Sequence, residues 1–410
     1  MPTRSLTLLR VFLPFAAGYF ISYLYRVVNA VIAPDLIADA GVDPSALGLL
    51  TATYFIAFAS FQLPLGVLLD RFGPRKVEAV LLIFAALGAL IFSKAETLTG
   101  LIIGRAFIGF GVSACLMAAF KAYTLWFDRE KWPIVNGFQM AAGGLGALAA
   151  TSPVEASLQF TDWRGVFMGL ALLTLSTAIT VLFIVPEKRS TSTGESLQNQ
   201  LRGIREVFTS KKFWQTAPLT TMSQAAFLAI QGLWAGPWLT HVAGLERTEV
   251  AGVLFWIAVA MIAGFIALGT IAGRLSKHGI SVATTAVTCM TLFMFVQLLL
   301  IFGPISWCFP VWISFGFLGT SGIIAYSALS QSFPVHLSGR VTTALNMLVF
   351  IVAFAGQWAI GAIIDFFTHG ETVLSSEGFK AGFLLLLFFE FAGFILYVFI
   401  GRKHIAKALT

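Results

Sequence analysis

The chain has 410 residues, of which 11% are charged and 58% hydrophobic, whereas a soluble globular protein carries about 25% charge. A water-soluble enzyme, a nucleic-acid-binding domain, a disulfide scaffold and a disordered chain are therefore excluded. The formal charge of +7 is parcelled out between apolar stretches, so it reads as a signal for membrane insertion and no nucleic-acid partner is expected.

Apolar stretches bounded by charge, Pro or Gly predict an all-α integral membrane protein of twelve spans. They lie near 9–34, 45–69, 77–94, 98–126, 133–157, 163–185, 214–242, 250–273, 280–302, 307–333, 341–367 and 380–401. Residues 77–92 are almost unbroken apolar sequence, without the alternation a barrel strand needs. The polar stretch 187–212 reads as a cytoplasmic linker between a six-helix bundle over 1–186 and another over 213–410. With both termini placed in the cytoplasm, the outer segments hold only Lys94, Arg164, Arg247 and Lys380. That asymmetry predicts a multi-pass protein of a bacterial inner membrane with both ends inside.

An ionised side chain at bilayer depth costs about 2.5 kcal/mol or more, so it must face a cavity, water or a partner. In span one, Tyr19, Ser22, Tyr23, Arg26 and Asn29 recur at spacings of three and four, which lines most of them along one polar face. Arg26 has two readings. Its planar fork captures a carboxylate or another oxyanion, or it pairs with a structural acid across the bundle. Between spans two and three, Gly66, Asp70, Arg71, Arg75 and Lys76 read as a gating joint: Gly66 is expected to let helix ends approach, and Asp70 to need a cationic or amide partner at a helix C-terminus. Gly269 and Arg274 repeat Gly66 and Arg71 at the same point of the second half.

In span four, Arg105 reads as structural or as part of the gating set, and Lys121 as a ligand or gate contact or as a snorkelled end. Intramembrane acid is expected to be nearly absent: Glu390 is the clear case, with Asp35 and Glu155 near outer ends, and these three are the carboxylates available for coupling to a proton. In the second half, Gln224, Gln231, Trp234 and Trp238 follow one face of span seven, Tyr326 lies in span ten, and Asn346 and Gln357 in span eleven. Gly232, Gly236 and Pro237 are expected to break span seven. Trp238 reads as a membrane-interface anchor or as a surface for ligand stacking. Cys115, Cys289 and Cys308 form no close pair, so no metal, disulfide or cofactor is expected.

Gly66 to Lys76 resembles the cytoplasmic signature of the major facilitator superfamily, G-x-x-x-D-R-x-G-R-[RK], with Pro74 as an extra residue. Gly104-Arg105 through Gly109 and Gly111 resembles that superfamily's R-x-x-x-G-x-G element. The resemblance implies two six-helix bundles that rock about a central cavity. Tyr25-Arg26 and the glycines 143, 144 and 146 are similar to the organic-anion symporter and nitrate-porter branches. Nitrate porters, however, place Arg in spans two and eight, and here both lack a central Arg, which disfavours nitrate.

The expected function is a secondary transporter, acting as a monomer in the lipid bilayer, for a small carboxylate-bearing anion, with a co-transported proton as a possible partner. An electropositive cavity around Arg26 favours an anion. A proton-coupled exporter of drugs or hydrophobic metabolites and a transporter-like receptor are the alternatives. No P-loop or nucleophile–base spacing supports ATP-driven or enzymatic chemistry.

Overall fold

In a computed structural model of the chain, which describes residues 8–41, 43–127, 132–188, 203, 205–333, 335–368 and 374–408, every regular element among the described residues is a helix. The first half comprises α1 (Leu13–Val27), α2 (Asn29–Ala40), α3 (Pro44–Ser60), α4 (Gln62–Phe72), α5 (Pro74–Lys94), α6 (Leu98–Gly111), α7 (Cys115–Trp126), α8 (Trp132–Ala149), α9 (Ser152–Ser157) and α10 (Trp163–Ile184). The second comprises α11 (Lys211–Ala229), α12 (Ala235–His241), α13 (Arg247–Lys277), α14 (Val282–Phe302), α15 (Cys308–Gly319), α16 (Gly322–Gln331), α17 (Val335–Thr368) and α18 (Ser376–Ala408). Much of the expected linker, 189–202 and 204, lies outside the described residues.

Among the described residues, eight helical stretches are long and apolar enough to cross a bilayer, and the pair Leu9–Val27 with Asn29–Asp39, bent by 46°, makes a ninth. The remaining three expected spans are broken helices. Span two divides at Phe61 into pieces of 17 and 11 residues. Span five is interrupted before the six-residue α9. Span seven opens with Lys211 and Lys212 and passes through a π-turn at Ile230–Trp234, close to the glycines and proline expected to break it.

Local chemistry sets the helix starts. Asp43, Thr97, Asp162 and Ser281 each accept a hydrogen bond from the backbone three residues on, and Glu246 with Glu249 forms a capping box for α13. The α4–α5 joint uses Gly73 at φ +78°, a conformation open to glycine, followed by Pro74 as the first helical residue.

Across the two halves, α3 packs along α17 and α8 against α13. Small residues make these contacts close: a Cβ on Gly361 would collide with the Pro44 carbonyl, and one on Gly236 with that of Ala30. One expectation is corrected here, and one of the two readings of Trp238 is closed. Side chains built on Gly66 or Gly269 would meet nothing within 4 Å, so neither glycine serves a close helix approach in this conformation. Trp238 is buried and packs edge-on against Trp312 at 5.5 Å, inside the protein rather than at a lipid interface.

Candidate functional site

Arg26 lies on α1 where both halves meet, and it is only 6% exposed. Its guanidinium carbon stands 4.3 Å from the centroid of Tyr23, 5.9 Å from Tyr54, 5.7 Å from Phe58 and 5.1 Å from Phe350. The rings come from α1, α3 and, through Phe350, α17. Phe58 and Phe350 stack at 4.2 Å, which closes the cage between the halves. Among the described residues no carboxylate forms an ion pair with Arg26, and its Nε has no hydrogen-bond partner. Cation–π contacts are worth about 0.5–2 kcal/mol each, so they hold the cation in place without using its N–H donors, of which one is hydrogen-bonded to Tyr54 and Nε has no partner.

Around this cation the expected residues divide into two groups. Tyr19 packs edge-on against Tyr23 at 5.2 Å, and Tyr326 lies within electrostatic reach of Tyr23 and Arg26 while its hydroxyl donates to Asn346 Oδ1 at 3.2 Å. The Ser22 hydroxyl and carbonyl both meet Tyr54 Oη, at 3.5 and 3.1 Å. These five share the cation's neighbourhood. The other group ties helices together. Asn29, beyond the bend at Val28, donates to Thr51 at 2.9 Å. Trp234 donates to the Gln357 carbonyl at 3.0 Å, and the Gln357 amide donates to Ala229. Gln231 meets Met261 Sδ at 3.7 Å.

Arg105 is fully buried on α6 and donates to the Tyr25 carbonyl at 3.0 Å, so it staples α6 to α1. Lys121 is half-buried on α7. At the joint, Arg71 is exposed beside Phe72, and Arg75 donates to the Val185 carbonyl at 3.1 Å and pairs with Glu187 at 3.6 Å. The side chain of Asp70 lies outside the described residues, and Arg274 is exposed at the end of α13.

At the opposite end from this joint, Arg247 on α13 holds two carboxylates of the first half. Its Nη1 and Nη2 donate to Asp35 at 2.9 and 2.6 Å, and its Nε donates to Glu155 at 2.9 Å. Asp35 and Glu155, expected as coupling carboxylates, are thus both held in an inter-half ion lock. Beside it Ser152 donates to the Ala251 carbonyl at 3.1 Å. Cavities of about 140 and 410 Å³ flank the lock, both lined by Glu155 and Arg247. Glu390 is fully buried on α18 and accepts from Gln297 at 2.5 Å.

Two features escaped the sequence reading. Arg247 was legible only as an outer basic residue, because nothing in one dimension brings residues 35, 155 and 247 together. The expectation of almost no intramembrane acid needs correction: Glu78 is a second fully buried carboxylate, on α5. A signal was present, since Glu78 shares a helical face with Leu81, Leu82 and Ala85, which are all buried.

The Major Facilitator Superfamily pattern matches residues 15–357, and the chain belongs to that superfamily. It is 27% identical over 183 residues to a probable sulfoacetate transporter, SauU, of Cupriavidus necator, covering 44% of this chain and 43% of that protein. It is 27% identical over 130 residues to the nitrate/nitrite transporter NrtP of a Picosynechococcus strain, covering 32% of this chain and 24% of that one. The chain thus spans less than half the length of either relative. In fold it is similar to a bacterial homolog of the human lysosomal transporter Spinster, with a TM-score of 0.76 at 15% identity, over 98% of this chain and 97% of that one. The chain is thus a multi-pass membrane protein of a transporter superfamily, and the relatives SauU and NrtP are named for the transport of anions. Fold and homologues are those of transporters, not enzymes.

Proposed function

We propose that this protein carries a small organic anion bearing a carboxylate or a similar oxyanion across a bacterial inner membrane by alternating access, as a monomer with both termini cytoplasmic. The observation that carries this reading is Arg26: a buried cation between the halves, caged by rings and free of any acidic partner among the described residues. A buried charge needs compensation, and an arriving oxyanion supplies both the charge and the acceptors. Tyr19, Ser22, Tyr23, Tyr326 and Asn346 contribute hydroxyl and amide groups around it. The Asp35–Arg247–Glu155 lock then serves as the outer gate, closed in this conformation, and the joint at residues 66–76 belongs to the cytoplasmic side. Sulfoacetate, which the SauU relative is named for, carries the chemistry this site suits.

The test is uptake into proteoliposomes of labelled sulfoacetate, with mono- and dicarboxylates and nitrate as competitors, for the wild type and Arg26→Gln. Competition by carboxylates and loss of uptake in R26Q are expected. Normal uptake kinetics in R26Q, or competition by nitrate alone, would overturn the reading.

A further inference from the structure

Glu78 occupies an unusual position for an acid. It lies one turn into α5, is fully buried, and neither carboxylate oxygen has a hydrogen-bond partner among the described residues. The space it fills comes from α1: a Cβ on Gly18 would collide with Glu78 Oε1, and the same point lies 3.7 Å from Cys115 Sγ. The carboxyl group therefore sits in a slot where α1, α5 and α7 meet.

Among the described residues, the groups around this slot leave the acid uncompensated. From α7, Cys115 and Tyr123 face it, and both are neutral side chains in their ordinary state. The Tyr123 hydroxyl is spent on Gln139 Oε1 at 2.6 Å, and the Gln139 amide is spent on the Phe15 carbonyl at 3.1 Å. On α5 itself, Arg75 and Lys76 turn to Glu187, at 3.6 and 2.8 Å. On α1, Arg26 is eight residues beyond Gly18, about 12 Å along the axis at 1.5 Å per residue. An ionised carboxylate in such a place is costly, and the neutral acid is the form that fits.

We propose that Glu78 is the proton-carrying site of this transporter: it takes a proton from water while the slot is open, is held as a neutral carboxylic acid in the closed slot described here, and gives that proton back to water when α1 moves away from α5 and α7 again. The step balances, since one O–H bond forms on the carboxylate as the proton leaves a hydronium ion on one side, and the same bond breaks to release it on the other. The motion required is a shift of α1 against α5 and α7 within the first half, and α1 carries both Arg26 and the Gly18 wall of the slot, so events at the cation and at the acid share one helix. The proposal deepens the anion-transporter reading and rests on it for the anion partner.

Two measurements separate the two ideas. With the membrane potential clamped and one proton per transport cycle, an inside-alkaline gradient of about one pH unit should drive about tenfold accumulation of labelled sulfoacetate. Glu78→Gln should equilibrate sulfoacetate and keep counterflow exchange, but lose the accumulation. Accumulation equal to wild type in E78Q would overturn the proposal. Gly18→Ala, which forces the carboxyl from its slot, is the second variant should E78Q fail to insert, with the same expected split between accumulation and exchange.

Independently of any substrate, the infrared difference between wild type and E78Q at neutral pH should contain the C=O band of a protonated carboxyl. Its absence would equally overturn the assignment. If the band is present and sulfoacetate and the other anions are not carried by the wild type, the proton site stands and the anion reading falls.

Discussion

Arg247 and Arg26 both stand where the two halves meet, yet they are handled in opposite ways. Arg247 is 39% exposed at its side chain and is gripped by Asp35 and Glu155 through three hydrogen bonds. Arg26 is almost completely buried and, among the described residues, meets four aromatic rings and the Tyr54 hydroxyl but no carboxylate. Exposure decides what each can do. A half-exposed ion pair is screened by water and is worth about 1 kcal/mol, which suits a latch that must open on each cycle. A buried cation without a carboxylate keeps its hydrogen-bonding capacity in a medium of low dielectric, where an oxyanion is bound strongly. The same side chain is a latch in one place and a receptor in the other.

The comparison breaks most directly at Arg26. Arg26→Gln should weaken sulfoacetate binding by about thirtyfold or more, the equivalent of about 2 kcal/mol for a charged hydrogen-bonded pair, as read by calorimetry in detergent. Arg26→Lys should fall between the two, because a point charge replaces the fork. Equal affinities for all three proteins would remove Arg26 from the site.

A smaller effect is expected at the latch. Arg247→Gln frees Asp35 and Glu155 and should shift the population toward opening at that end by about fivefold, since about 1 kcal/mol is at stake. Thiol labelling of a cysteine placed at Thr240, which lines the 140 Å³ cavity, reports the change. High salt should move the wild type in the same direction. Labelling that is indifferent to both would mean the cluster is not a gate.

Phe350→Leu keeps an apolar lid on Arg26 but removes the ring contributed by the second half. A two- to fivefold change in apparent affinity is expected, about the worth of one cation–π contact. The smallest effect belongs to Gly66→Ala. Its new methyl group meets nothing, so melting temperature and uptake should stay near those of the wild type, within about 1 kcal/mol in stability. By contrast, Gly146→Ala would drive a methyl group into the Phe20 carbonyl and should destabilise the protein clearly.

Spans and candidate cation were legible in the sequence for a simple reason. Apolar length is a local property, and an arginine amid Phe, Ile and Leu is conspicuous in any window. The joint at residues 66–76 was legible in the same way, as residues adjacent in the chain. Span two was harder to place as a broken rod, because the break at Phe61 answers to packing rather than to hydropathy, whereas the glycines and proline of span seven signalled a break close to the π-turn at Ile230–Trp234. Glu78 was overlooked because its neighbours Arg75 and Lys76 suggest a solvated helix end, whereas they turn to Glu187 and leave the acid inside.

Composition, apolar periodicity and the placement of Lys and Arg were enough to determine a helical membrane protein with a buried arginine in its first span, because the bilayer penalises charge one residue at a time. Only the tertiary structure decided which charges find partners. Asp35, Glu155 and Arg247 are far apart in the chain and neutralise one another across the halves, while Arg26 and Glu78 are each buried without such a partner among the described residues. Pairing depends on distances between helices, and those are set by how side chains pack around them.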